Sequence, residues 1–291
     1  AVGVSGAWIQ VFIYPEDVPT DTIPILHEVK RVSGTVPLVV GATDIGQFGT
    51  SSGDPGEITA QGIGTIQAVK NVGISYTGDV FSPITANGTG TLGVIANIDI
   101  DNDLLADVSA NRIIESLVAS RKIGTSGTPV DITAVDQIIL VSAGEINAAI
   151  TCSGGSSPFI QRIETTGANS TTGDFTGSLS TYNLTCDNCS APKGMKIKRD
   201  LTASLSFSNL ITNAIDIDRS LTGSITATSG ANSGGLITVN SADGGGSWSG
   251  SVTLNGHTLS TGQSQPNQAP YYSRSSSSLG GGDVGLVPFQ C

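Results

Sequence analysis

The sequence predicts an all-β chain wound as a parallel β-solenoid of about eight coils, with an N-terminal β cap and an extended C-terminal tail. Two recurring patterns and one compositional bias predict it. The first pattern is a ten-residue phrase that returns as TGDVFSPITA from Thr77, DNDLLADVSA from Asp101, AGEINAAITC from Ala143, TGDFTGSLST from Thr172, KRDLTASLSF from Lys198, DRSLTGSITA from Asp218 and GGSWSGSVTL from Gly245. A weaker copy, TSGTPVDITA, begins at Thr125. Each is a polar turn, an apolar residue, three mostly small or polar residues, a second apolar residue, then Ser or Thr. The second apolar position runs Ile84, Val108, Ile132, Ile150, Leu179, Leu205, Ile225, Val252, with steps of 24, 24, 18, 29, 26, 20 and 27 residues and a mean of 24. Self-similarity at that period signals stacked supersecondary units.

The second pattern is a fainter apolar row that precedes most copies: Ile66, Val94, Leu117, Leu140, Ile163, Ile197, Ile217 and Val239. Both rows sit in short runs rich in Ile, Val, Leu and Thr, bounded by Gly, Asn, Asp or Ser, which reads as strand and turn. Two or three short strands in about 24 residues suit a parallel solenoid, and neither helix of a helical repeat fits that length. A single coil of this kind buries nothing alone; its neighbours above and below supply the core. The composition agrees, with 38 Gly, 13% charged residues and 5% aromatics, while 38% hydrophobic residues in register exceed what a disordered chain carries.

Residues 1–56 form the N-terminal cap or docking segment. GAWIQVFIYPED and the apolar run from Ile23 to Val40, broken by Pro24 and Pro37, read as two or three strands with a short helical turn around Ile25 to Val32. The open end of such a stack exposes unpaired backbone and must be covered. Repeats occupy 57–256, opened by the DPG turn at Asp54 to Gly56, with a Cys-bearing insertion TCDNCSAPKG from Thr185 to Gly194. Residues 257–291 are a Ser/Gly-rich linker ending in an apolar strand whose Val284, Leu286, Val287 and Phe289 are the candidate assembly contacts. That tail either runs back along its own coils or adds to a neighbouring subunit as an extra strand.

Charge and topology narrow the partners. A net charge of −11 argues against a nucleic-acid partner, which needs clustered Lys and Arg. No run of 18 apolar residues spans a membrane. The chain starting at Ala1 reads as a mature extracellular or cell-surface form with its signal peptide removed. Four cysteines, Cys152, Cys186, Cys189 and Cys291, favour disulfides in that compartment. Stacking sets Cys152 beside Thr181, five residues before Cys186, so the expected bond is from Cys152 to Cys186 or Cys189, with Cys291 taking the other or cross-linking subunits.

Candidate chemistry is sparse. Acidic residues recur before the first apolar anchor at Asp79, Asp103, Glu145, Asp174 and Asp200, a row that a carbohydrate-active or carbohydrate-binding β-helix would use, as in a polysaccharide lyase or glycosidase. Asp is equally a turn former whose side chain caps local N–H groups, and Ser220 and Ser247 replace it in the last copies. Asp99, Asp101 and Asp103 resemble the start of a calcium loop, but Leu104 stands where Gly is needed and Ala110 where Glu is needed. His27 and His257 lie too far apart in the chain to suggest a triad. No catalytic motif is found and no cofactor is called for. Ice or mineral binding would require a regular hydroxyl ladder, which the unequal steps disfavour. A sugar groove would need aromatics for stacking, and of the two Trp and five Tyr the repeats hold only Tyr76, Tyr182 and Trp248.

The GDVFSPITA, GDFTGSLST and LTGSITA phrases resemble the degenerate right-handed parallel β-helix repeats of large bacterial surface proteins, including those of Planctomycetes, over about 200 of the 291 residues. That resemblance implies a secreted or surface location and a structural or adhesive role. The expected function is therefore an extracellular structural protein that assembles with copies of itself into fibres or a surface layer, through end-to-end and tail contacts. A cell-surface glycan is a further expected partner.

Overall fold

Alternating apolar and polar residues make each short run a strand with one face to bury, and what it is buried against sets the architecture. The computed structural model describes residues 9–12, 38–42, 58–60, 63–68, 79–81, 83–90, 92–184, 194–208, 215–228, 236–239, 249–254, 257–259 and 271–274. Among them every regular element is a strand, and all pairings but one are parallel. The chain is all-β with its strands in three ladders. The short helical turn expected around Ile25 lies outside the described residues.

Ladder one is the longest. It runs through Ile9–Phe12, Leu38–Ala42, Ile63–Ala68, Val94–Ile100, Leu117–Ile123, Gln137–Cys152, Phe159–Thr165, Gly194–Ile197, Ile215–Ile217, Leu236–Val239 and Tyr271–Arg274. Two strands of the N-terminal segment and one of the tail thus continue the repeats. Ladder two joins Ile58–Ala60, Ile84–Ala86, Val108–Ala110, Val130–Ala134, the far half of Gln137–Cys152, Phe175–Thr181, Ser204–Phe207, Ser224–Ala227 and Ser251–Leu254. It finishes with the antiparallel strand His257–Leu259. Ladder three is one or two residues wide and stacks Val80, Leu104, Ile123, Ile146, Phe175, Leu201 and Leu221.

Like side chains stack on like. The eight second anchors from Ile84 to Val252 follow one another in ladder two without a slip, each at most 1% exposed. Rows from ladders one and three close on them to form a single apolar cluster. Burying one Ile or Leu in this way contributes roughly 1.5–3 kcal/mol, so each strand depends on the strands above and below it.

The fainter row needs correction. The residues in register with Ile66 are Ile98, Leu117, Val141, Ile163, Met195, Ile215 and Ile237. Val94 and Leu140 are only half-buried and fall outside it. Ile197, Ile217 and Val239 do align with one another, two residues further along their strands. The run Ile138 to Val141 is apolar on both faces, so alternation does not disclose which residue points in, and a one-residue error reverses the face. The first anchor of the weak copy is Ile123, cut off from Val130 by the exposed turn Ser126 to Pro129.

At two places the corner between ladders three and two leaves no room for a side chain. Gly177 has φ +115°, and a Cβ there would lie 2.1 Å from the Ala148 carbonyl oxygen. Gly223 meets Ala203 in the same way at 2.0 Å. The glycines that stand two residues after the first anchor in these phrases are therefore a packing requirement.

Candidate functional site

The acidic row is real in space. Asp79 and Asp103 are next to each other along ladder three, as are Glu145, Asp174 and Asp200, because the residue after each is in register with its neighbour. The gap between the two groups is filled by Lys122, which aligns with both Asp103 and Glu145. Parallel strands hold such carboxylates about 4.8 Å apart, close enough for strong mutual repulsion unless something offsets it.

The chain itself supplies the offset. One Asp79 oxygen accepts hydrogen bonds from the Asn102 side-chain amide at 2.6 Å and the Asp103 backbone N–H at 2.9 Å. Asp174 accepts the N–H of Asp200 at 3.1 Å, and Glu145 accepts the N–H of Thr172 at 3.3 Å and its hydroxyl at 3.0 Å. Cations complete the edge: Arg121 on Asp103 at 2.8 Å, Lys122 on Glu145 at 3.4 Å, and Arg199 and Arg219 on Asp200 at 3.7 and 3.6 Å. Burial raises the Asp103 carboxyl above its ordinary value; Arg121 pulls it down and Asp79 pushes it up again. Each carboxylate thus ties one strand to the next.

The calcium candidate is not assembled. Asp99 sits on ladder one in register with Gln67 and Val118, Asp101 is exposed in the following turn, and Asp103 stands on ladder three with Arg121. No group of three or more His, Cys, Asp or Glu able to hold a metal ion occurs among the described residues.

Cys152 is a second correction. It is a free thiol, fully buried, and desolvation pushes its pKa up to about 12. The predicted stacking on Thr181 holds, but the expected disulfide from Cys152 is not formed. Two residues beyond Ile150 on the same face, Cys152 points into the core. Cys186, Cys189 and Cys291 lie outside the described residues, as do Val284, Leu286, Val287 and Phe289.

One feature runs against the expectation from unequal steps. On the outer side of ladder two, Thr85, Ser109, Thr133, Thr151, Ser180, Ser206, Thr226 and Thr253 form an unbroken row of hydroxyl-bearing residues, and Thr59 is in register with Thr85. A second row, Ser178, Ser204, Ser224 and Ser251, runs beside it. The Thr133 hydroxyl donates to that of Ser109 at 3.1 Å. Length differences are taken up in the turns: the short step has only Val135 and Asp136 between strands, whereas the long one carries 153–158 and 166–174. The Ser or Thr that closes nearly every phrase was the available signal.

No family model, no curated protein and no solved structure matches this chain.

Proposed function

We propose that the chain is a parallel β-solenoid, right-handed as parallel crossovers almost always are, and that it serves as an extracellular structural element assembling with copies of itself into fibres or a layer. The observation that carries this reading is the acidic edge, where the carboxylates are engaged by Asn102, Arg121, Lys122, Thr172, Arg199 and Arg219 and by backbone N–H groups of the adjoining strands. Residues best placed for chemistry are spent on cohesion. Three ladders with stacked apolar rows give a rod of about 53 Å for eleven strands at ~4.8 Å each. Nearest-neighbour packing lets such a rod lengthen without limit from any end that stays open.

Negative-stain electron microscopy tests it, using the native protein with and without reductant and a chain truncated after Gly256. Fibres or sheets of the native protein support the reading, and their loss on truncation assigns the tail a part in it. Uniform single rods at every concentration would refute it.

The hydroxyl rows favour a second reading, a flat array that orders water or meets a crystalline surface. Along a strand i and i+2 positions lie about 6.7 Å apart, and between strands about 4.8 Å. Ice recrystallisation assays comparing the wild type with Thr133→Val and Thr151→Val test this directly; equal activity, or none, refutes it.

A further inference from the structure

Ladder one ends on a parallel strand at both extremities. Ile9–Phe12 pairs in parallel with Leu38–Ala42, and Tyr271–Arg274 pairs in parallel with Leu236–Val239. Among the described residues neither has a second neighbour, which puts Ile9–Phe12 at the lower and Tyr271–Arg274 at the upper extremity of the described ladder. Ladder two differs, because the antiparallel His257–Leu259 ends its parallel run. Ladder one has eleven strands and ladder two ten, and the antiparallel strand His257–Leu259 stands one step beyond Ser251–Leu254 just as Tyr271–Arg274 stands one step beyond Leu236–Val239.

Natural edge strands are usually blunted by charge or proline, since an open edge recruits another strand. Ile9–Phe12, with the sequence IQVF, carries neither, and Tyr271–Arg274, YYSR, has a single charge at its far end. Register also matches across the molecule. Val11 aligns with Val40 and so with Ile66, while Tyr272 aligns with Ile237 in that same row. The two end strands are consecutive positions of one ladder, separated by the length of the rod.

We infer that Tyr271–Arg274 of one copy receives Ile9–Phe12 of a second copy as the next parallel strand, with Tyr272 opposite Val11, Tyr271 opposite Gln10 and Ser273 opposite Phe12. This inference rests on the self-assembly reading above and specifies its contact. Strand addition of this kind draws affinity from main-chain hydrogen bonds and specificity from the row of side chains. The contact is head-to-tail and does not close on itself, so it produces a filament. Its axial repeat is about 53 Å, eleven strands at ~4.8 Å each.

Cysteine pairing tests the register. Gln10→Cys and Tyr271→Cys chains are prepared separately, mixed and mildly oxidised beside the wild type, which controls for the native cysteines, and linked peptides are identified by mass spectrometry. Parallel neighbours about 4.8 Å apart fall within the Cα separation a disulfide requires, whereas three residues of offset add about 10 Å and forbid it. The expected result is a 10–271 link in the mixture, absent from either variant alone, with no 10–274 link when Arg274→Cys replaces Tyr271→Cys. Filaments that form without the 10–271 link overturn this junction and leave self-assembly standing. A preferred 10–274 link overturns the register. Absence of any assembly in the microscope overturns both the junction and the reading beneath it.

Discussion

Adding one glycine in two different places separates what the ladders tolerate from what they do not. Placed after Ala149, it lies inside Gln137–Cys152, where the strand holds Ile150 and Cys152 in the core and Thr151 outside. The extra residue turns Ile150 outward and Thr151 inward. Losing one buried Ile costs roughly 1.5–3 kcal/mol. Burying a hydroxyl without a partner adds about 1–3 kcal/mol, for a total of about 2.5–6 kcal/mol. Placed after Gly127, in the exposed turn between Ile123 and Val130, the same glycine adds only loop-closure entropy, about 0.1 kcal/mol. Urea unfolding followed by circular dichroism measures both, at matched protein concentration because assembly shifts apparent stability. If the strand insertion costs within about 1 kcal/mol of the turn insertion, the reasoning fails. The ladder would then be absorbing the residue as a bulge, as Leu117–Ile123 does between Ala119 and Lys122.

Four further expectations follow from named contacts. Leu205→Ala, at a site 1% exposed in the middle of ladder two, lowers stability by about 2–5 kcal/mol in the same urea assay. Gly223→Ala forces a methyl against the Ala203 carbonyl oxygen and costs on the order of 1–3 kcal/mol, whereas Gly127→Ala, with open space around it, is neutral. Cys152, with its pKa near 12, resists iodoacetamide at pH 8 in the native protein and reacts fully in urea, as peptide mapping will show. For Asp103, the folded carboxyl titrates above its ordinary 3.8, so its stabilising contribution is complete below that value and is lost as pH rises through the raised one. Thermal melts of Asp103→Asn should therefore gain on the wild type as pH climbs from 3.8 towards neutrality.

The strand arrangement was legible wherever a strand shows water one polar face. Ile84 to Val252 could be placed residue by residue because each is followed by Ser or Thr and preceded by Ser, Asp, Ala or Pro. Leu140 could not, because its neighbours Ile138, Ile139 and Val141 are apolar on both sides, and alternation carries no phase in such a run. The acidic row was visible from the recurrence of Asp and Glu before each first anchor. The residues that neutralise it were not, since Arg121 reaches Asp103 from the next strand and Arg219 reaches Asp200 from 19 positions away. Cys152 was misassigned for a related reason: parity along the strand from Ile150 aims it inward, while proximity in the stack suggested a bond. The hydroxyl row was discounted because unequal repeat lengths imply disorder along an axis only when the extra residues fall within strands, and here they fall between them.

The 24-residue interval from Val108 to Ile132 has a consequence at the level of heredity. Asp107 and Asp131 each stand before an anchor, and the Asp131 N–H binds the Asp107 carboxylate, so the two positions are equivalent. Deleting residues 108–131 would join Asp107 to Ile132 in the setting Ile132 already has, and would hand Ile84 a new neighbour of the same kind. Unequal recombination between neighbouring copies would then shorten or lengthen the molecule by about 4.8 Å per event. Under such exchange a lineage adjusts molecular length by counting, and each intermediate still folds.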